Sequence, residues 1–293
     1  MELFNNVSEK TENVVYGEKS GKVLRFLYKT AAGRFMLKFA VRPSFSRIGG
    51  KVLSTRISAL KIRGFVKKAG IDISEYEPKR YKSFNDFFTR KILPGKRQID
   101  MEPGNLISPC DGKLSAYYIK EDSTFNIKGC DYTVAELLCD DMLAQRYNGG
   151  ICLIFRLCVD DYHRYCYIDD GYKGENIHIS GEFQTVQPIA LERVKVFARN
   201  DREYTVLKTE HFGTVTQIEI GALMVGKITN LDGAGRIEKG REKGMFEFGG
   251  STIVLLFEEN TVDMDGRIFE DTGKGLETAV KLGQAVARAK LKA

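Results

Sequence analysis

A chain of 293 residues with 43% hydrophobic and 29% charged side chains can bury a core of its own, which excludes a disordered or fibrous protein. No apolar run reaches the roughly 18 residues that a helix needs to cross a bilayer. The formal net charge of +6 has one source: residues 21–70 hold thirteen Lys or Arg and no Asp or Glu, leaving 32 basic against 39 acidic residues elsewhere.

In the first twenty residues, Glu2, Glu9, Glu12 and Glu18 stand where a secretory leader would carry an apolar core, so a cytoplasmic location is expected. In the basic block that follows, Leu24, Tyr28, Ala31, Phe35 and Phe39 share one helical seam. Arg25 and Lys29 lie off it, while Arg34 and Lys38 sit at its edge, where long side chains snorkel. Cations interleaved with Phe26, Met36, Ile57, Leu60 and Phe65 suit an anionic membrane surface, each basic group adding about 1 kcal/mol beside acidic headgroups. A solvated helical face covering the main domain accounts for the same pattern. No nucleic-acid-binding signature is present, and no nucleic-acid partner is expected.

Beyond residue 80 the pattern changes to short apolar runs broken by Gly, Asn and Asp. These predict strands at 151–158, 214–220 and 251–257, and helices at 134–147 and 276–291. Asp-Gly at 111/112, 170/171, 232/233 and 265/266 predicts tight turns. The expected class is α+β: a basic helical N-terminal region, residues 1–80, followed by a mainly antiparallel β-rich catalytic domain, residues 81–293. All six cysteines lie between Cys110 and Cys166 without zinc-site spacing, as befits small buried hydrophobes in a reducing compartment.

One short segment carries chemistry. Gly249-Gly250-Ser251-Thr252 precedes the apolar run 253–257, and a serine hydroxyl can attack the peptide bond on its own amino side where glycine permits strained backbone. The product is an ester from Gly250 to Ser251 Oγ. Elimination would leave dehydroalanine, and hydrolysis a pyruvoyl group at position 251. Taken alone, the same residues read as a loop entering a buried strand.

Four further segments bear on that choice: Asn85-Asp86-Phe87-Phe88-Thr89-Arg90-Lys91, Ser108-Pro109-Cys110-Asp111-Gly112, Asp161-Tyr162-His163-Arg164, and 209–226 with its Gly221-Ala222 and Val225-Gly226. Together with Gly250-Ser251 and Gly275-Leu276-Glu277-Thr278, their order and spacing resemble the phosphatidylserine decarboxylase proenzyme family, from about residue 80 to the C-terminus. The resemblance implies self-cleavage between Gly250 and Ser251 and a pyruvoyl group made from Ser251, with no pyridoxal phosphate and no metal. It implies decarboxylation of phosphatidylserine to phosphatidylethanolamine, with the ketone as electron sink. Phosphatidylserine and an anionic membrane surface are the implied partners, at the cytoplasmic face of the cell membrane. Self-association stays open.

The resemblance also assigns roles. Asp111, His163 and Ser251 would form a charge-relay set for maturation, the imidazole taking the hydroxyl proton and the carboxylate orienting it. Asp111-Gly112 read alone is one more turn, and His163 a structural histidine, although only His178 and His211 compete with it. The chain departs from the family at Cys166, where a second histidine usually stands three residues after the first. Residues 163 and 166 share a face on a helical turn but not on a strand, and a pair serving one site favours a turn. Two functional alternatives stay open: decarboxylation of a soluble amino acid or another serine lipid, and an uncut, inactive relative.

Overall fold

The computed structural model describes residues 13–15, 22–127, 129–191, 194–222 and 227–290. Val225-Gly226 and the acidic first twelve residues lie outside them. The N-terminal part is a run of helices: α1 (Lys22–Lys29), α2 (Ala31–Ala40), α3 (Pro43–Leu53), α4 (Ile62–Ala69) and the short α5 (Phe84–Phe88). Thr30 separates α1 from α2, because its extended backbone and its side chain, which accepts from Gly33 N at 2.9 Å, start a new helix. Gly33 lets the two helices touch: a Cβ there would come within 2.0 Å of Phe26 O.

This break overturns the expected continuous seam. Tyr28 is buried along with Leu37 and Val41, whereas Phe35 and Phe39 are exposed together with Phe26, Met36, Ile57 and Leu60.

The main domain is built on a ten-stranded antiparallel sheet. Its central members are β1 (Gly112–Tyr118), β2 (Ile151–Leu157), β4 (Arg202–Thr209), β5 (Thr214–Gly221), β7 (Ser251–Phe257) and β8 (Leu276–Val280). From Asn13–Val15 at one edge the order runs β8, β1, β2, β7, β5, β4, then Gly171–Lys173 and Gly235–Ile237. A smaller sheet joins Ile228–Asn230, β6 (Glu242–Phe246) and β3 (Arg164–Cys166). Every residue of β7 is buried, since the strand has partners on both sides and side chains on both faces. Alternation sends Ile253, Leu255 and Phe257 into one core cluster with Phe155 and Tyr165, and Val254 and Leu256 into the other with Tyr28 and Val186.

Two predicted helices change. Residues 134–147 divide into Val134–Leu138 and Asp141–Gln145, because Cys139 is left-handed at φ 52° and Asp140 caps a new helix with its side chain on Leu143 N. The predicted helix at 276–291 is not formed: residues 276–290 hold β8 and the strand Ala285–Ala289, turned at Gly283 (φ 84°), and residue 291 lies outside the described residues. Alanine and lysine favour a helix locally, but pairing with β1 and with Asn105–Ile107 decides the outcome. Nor do the Asp-Gly pairs close two-residue hairpins: Asp265 caps the helix Gly266–Gly273, and Asp111 turns out to be an ion-pair partner.

Candidate active site

Ser251 opens β7 with Gly221 of β5 on one side and Leu157 of β2 on the other. Gly249 just upstream has φ 144°, a backbone conformation that side chains other than glycine resist. A Cβ on Gly250 would lie 3.3 Å from Val186 Cγ2, a tight contact with that side chain. The approach to the strand is pinned from the side: Asn85 Oδ1 accepts Phe248 N at 3.0 Å, and Asn85 Nδ2 donates to Glu247 at 3.3 Å.

His163 faces Ser251, its Nδ1 3.1 Å from Oγ. Its Nε2 lies 2.8 Å from the carbonyl oxygen of Cys158. A carbonyl only accepts, so Nε2 carries the proton and Nδ1 offers a lone pair to the serine hydroxyl. The ring is wholly buried and lies against Phe88, with centroids 4.1 Å apart and the planes tilted by 33°. Phe88 packs in turn on Phe248, which ties α5 to the segment before Gly250. Burial pulls the imidazole pKa down to about 3, helped by the Arg90 charge and opposed by the Cys158 carbonyl and Asp111. The group is therefore a neutral acceptor at any ordinary pH.

The turn that carries His163 is fixed by two groups that sequence reasoning missed. Asp161 Oδ2 accepts Cys158 N at 2.7 Å, and burial with the nearby Asp160 and Asp111 charges raises its pKa to about 6. Arg90, buried over the rings of Tyr76 and Phe87, donates to the carbonyls of Asp160 and Asp161 at 3.4 and 3.3 Å. An arginine with backbone partners has no charge pattern by which sequence could have revealed it.

Asp111 is not hydrogen-bonded to the imidazole, as a direct relay would require. Its carboxylate takes a two-pronged grip from Arg97 (Nε 3.0 Å, Nη2 2.7 Å), a bond from Leu282 N at 2.9 Å and Lys281 Nζ at 3.3 Å. Burial pushes its pKa up, but the bonds from Arg97 and the charges of Lys281 and Arg97 outweigh this and hold it below the usual carboxylate range. With its oxygens so engaged, the carboxylate reaches His163 through its field alone.

Cys166 does not share the site by a helical turn, contrary to the expectation for a pair three residues apart. It ends β3, where Cys166 N donates to Pro109 O at 2.9 Å and Arg164 and Tyr165 pair with Met245 and Gly244 of β6. His163 O continues that ladder by accepting Phe246 N, so alternation turns residues 163 and 166 to opposite sides. Burial lifts the Cys166 thiol to about 12, which makes it a small apolar filler. His178 bonds Asp201 and His211 bonds Asp169, so neither substitutes for a second imidazole at Ser251. Among the described residues, no group of three or more His, Cys, Asp or Glu is placed to hold a metal.

A family model for phosphatidylserine decarboxylase matches residues 84–288. Phosphatidylserine decarboxylase proenzyme 2 of Clostridium acetobutylicum is 51% identical, over 93% of this chain and 94% of that protein. The phosphatidylserine decarboxylase proenzyme of Ruminiclostridium cellulolyticum is 45% identical over 91% of both chains, and that of a Clostridium botulinum strain 38% over 98% of both.

Proposed function

Because the chain belongs to the phosphatidylserine decarboxylase family, and is on that ground a carboxy-lyase, we propose that it makes its catalytic ketone by cutting itself between Gly250 and Ser251. The observation that carries this reading is the dry contact of 3.1 Å between Ser251 Oγ and an imidazole nitrogen that is free to accept, directly after two glycines.

His163 Nδ1 takes the hydroxyl proton as Oγ attacks the Gly250 carbonyl carbon. The Oγ–C bond forms, the C–N bond breaks, and the proton passes to the departing nitrogen. The Cys158 carbonyl steadies the charged ring through Nε2–H, and the Asp111 field favours the same state. Loss of the Cα hydrogen of residue 251 then expels the Gly250 carboxylate and leaves dehydroalanine, and one water converts this to ammonia and a pyruvoyl group. That ketone supplies the electron sink for decarboxylation of phosphatidylserine.

Both fragments keep their strand partners. Residues 251–293 contribute β7 between β2 and β5, and β8 beside β1, so cleavage breaks no ladder of the sheet. The basic helices flank the same end: Tyr28, Leu37 and Val41 share a core with Val186, while Leu53 clusters with Phe84 and Phe88 and with the neighbouring Phe65 and Phe248. Their outward Ile57, Leu60, Phe35 and Phe39, set among thirteen cations, support a peripheral seat on an anionic membrane, where the lipid substrate lies. No helix among the described residues is long and apolar enough to cross the bilayer.

Intact-mass measurement of the purified chain tests the reading. A fragment beginning at residue 251, carrying a carbonyl that hydrazine traps, is expected. An unbroken chain that gives no hydrazine adduct would refute it.

A further inference from the structure

We infer that α1 and α2 hold the bond between Gly250 and Ser251 in place for cleavage, acting through the segment 182–187 and through Asn200 as a positioning residue. The inference rests on self-cleavage at this bond, and it adds a second duty to helices otherwise suited to a membrane seat. Two glycines before the serine bring no stiffness of their own, so neighbours have to impose the geometry of attack. Asn85 supports the approach from one side. On the other stand Gly221, the strand partner of Ser251, and Val186, which lies against Gly250.

Asn200 joins these two supports. It is fully buried, and its side-chain amide makes three bonds: Oδ1 accepts Gln184 N at 2.9 Å, while Nδ2 donates to Gln184 O at 2.8 Å and to Gly221 O at 2.7 Å. Turned over, the amide would set donor against donor and acceptor against two acceptors, so its orientation is fixed. Gly221 N is engaged as well, on Asp201 O at 2.9 Å, and the backbone of Glu182 bonds Arg199 O and Asp201 N, both at 2.9 Å. Phe183 closes the joint, since a Cβ on Gly221 would come 3.2 Å from its ring.

The same segment hangs from the helices. Phe183 N donates at 2.9 Å to the carbonyl of Val41, the residue that ends α2. Tyr28 OH, from α1, donates to Gln184 Oε1 at 2.7 Å and accepts Thr185 N at 3.2 Å. Tyr28, Val41, Phe183 and Val186 also share one core cluster. Apolar packing alone would cover the sheet without setting a direction, because the hydrophobic effect is non-directional. Hydrogen bonds set one. A chain of them runs from α1 and α2 through residues 183–185 to Asn200 and on to Gly221, beside Ser251. A misplacement of about 1 Å at a reacting group costs on the order of 10²-fold in rate, so slack in this chain should show as slower cutting.

Fragment formation, followed by mass during cell-free synthesis of the full chain, tests the inference. Tyr28→Phe removes the hydroxyl and keeps the ring, and should slow the cut by about tenfold, the equivalent of its two hydrogen bonds. Asn200→Asp keeps the size of the side chain but sets a carboxylate against two carbonyls, and should slow the cut by about 10²-fold. Should that variant not fold, Tyr28→Phe decides alone. Tyr147→Phe is the control: it removes a buried hydroxyl of the same core, one that bonds Thr216, whose partner Leu256 is near the far end of β7. It should lower Tm as much as Tyr28→Phe does and leave the rate of cutting unchanged. Tyr28→Phe cut at the wild-type rate would overturn the inference, as would Tyr147→Phe slowed equally at the same loss of Tm. A wild-type chain that is never cut would instead refute the self-cleavage reading, and this duty of the helices with it.

Discussion

The two sides of the chain at residues 251 and 252 are provisioned in opposite ways. On the side of Ser251 the groups in line with the hydroxyl are paired, since the hydroxyl meets His163, the imidazole meets a carbonyl, and Asp111 meets Arg97, Lys281 and a backbone N–H, while Arg90 Nε and Nη1 behind them lack hydrogen-bond partners. On the side of Thr252, the hydroxyls of Thr252 and Ser115 are buried without partners, and Arg156 is paired with Glu277. A reaction performed once, on the chain's own backbone, needs all of its partners in place when the fold forms.

The most direct way to break that comparison is Ser251→Ala. Without the hydroxyl no ester forms, and the fragment from 251, the hydrazine adduct and the decarboxylase activity should all vanish together. A cut and active variant would end the argument. Next in size is His163→Gln, which keeps a polar group but removes the base, and should slow cleavage by about 10²–10⁴-fold in a time course read by mass. Because the folded imidazole takes a proton only near pH 3, wild-type cleavage should show no inflection around the ordinary histidine value of 6.5. An inflection there would mean that the ring is wetter than its burial implies.

Asp111→Asn tests the satisfied side through stability. Arg97 would be left against a neutral amide, and a loss of about 3 kcal/mol is expected in denaturant unfolding, in the range for breaking one partner of a buried pair. The sign with pH is also fixed. The folded carboxylate has a pKa below its ordinary 3.8, so its contribution is present above that value and lost as pH falls through the folded pKa. The variant should lack that slope. Smaller again is the double change Ile57→Asp, Leu60→Asp on the outer layer, where the side chains are 78% and 82% exposed. It should weaken binding to phosphatidylserine vesicles at least tenfold, since each lost apolar contact is worth about 1.5–3 kcal/mol, while cleavage at 251 proceeds. Unchanged vesicle binding would leave this surface without a membrane role.

Much of this was legible in the sequence, and the failures have physical causes. The strand at 251–257 was read to the residue, and those at 151–157 and 214–221 to within one, because long apolar runs between glycines admit few other structures. Ser251 and His163 were legible as chemical types. What holds them was not: Cys158 acts through its carbonyl and Arg90 through backbone contacts, neither of which has a side-chain signature. The partners of Asp111 come from residues 97, 281 and 282, separations that only the paired strands close. The strands at 276–280 and 285–289 were read as a helix because their composition favours one, and tertiary pairing outweighed a preference of a few tenths of a kcal/mol per residue.

The smallest effect expected is that of Cys166→Ala, and it bears on the departure from the family pattern. If position 166 served the hydroxyl, as a second imidazole three residues along would, loss of its side chain should impair cleavage. The structure sets this thiol at the end of β3, buried, with its pKa lifted to about 12 and its backbone bound to Pro109. Removing the sulfur should then leave a small cavity worth about 1–2 kcal/mol in unfolding, with the rate of fragment formation held. Substitution by histidine would instead overpack a fully buried position in the core cluster, at a similar loss of stability. A Cys166→Ala chain that folds yet stays whole would show that a single imidazole is insufficient, and that the satisfied side is missing a member.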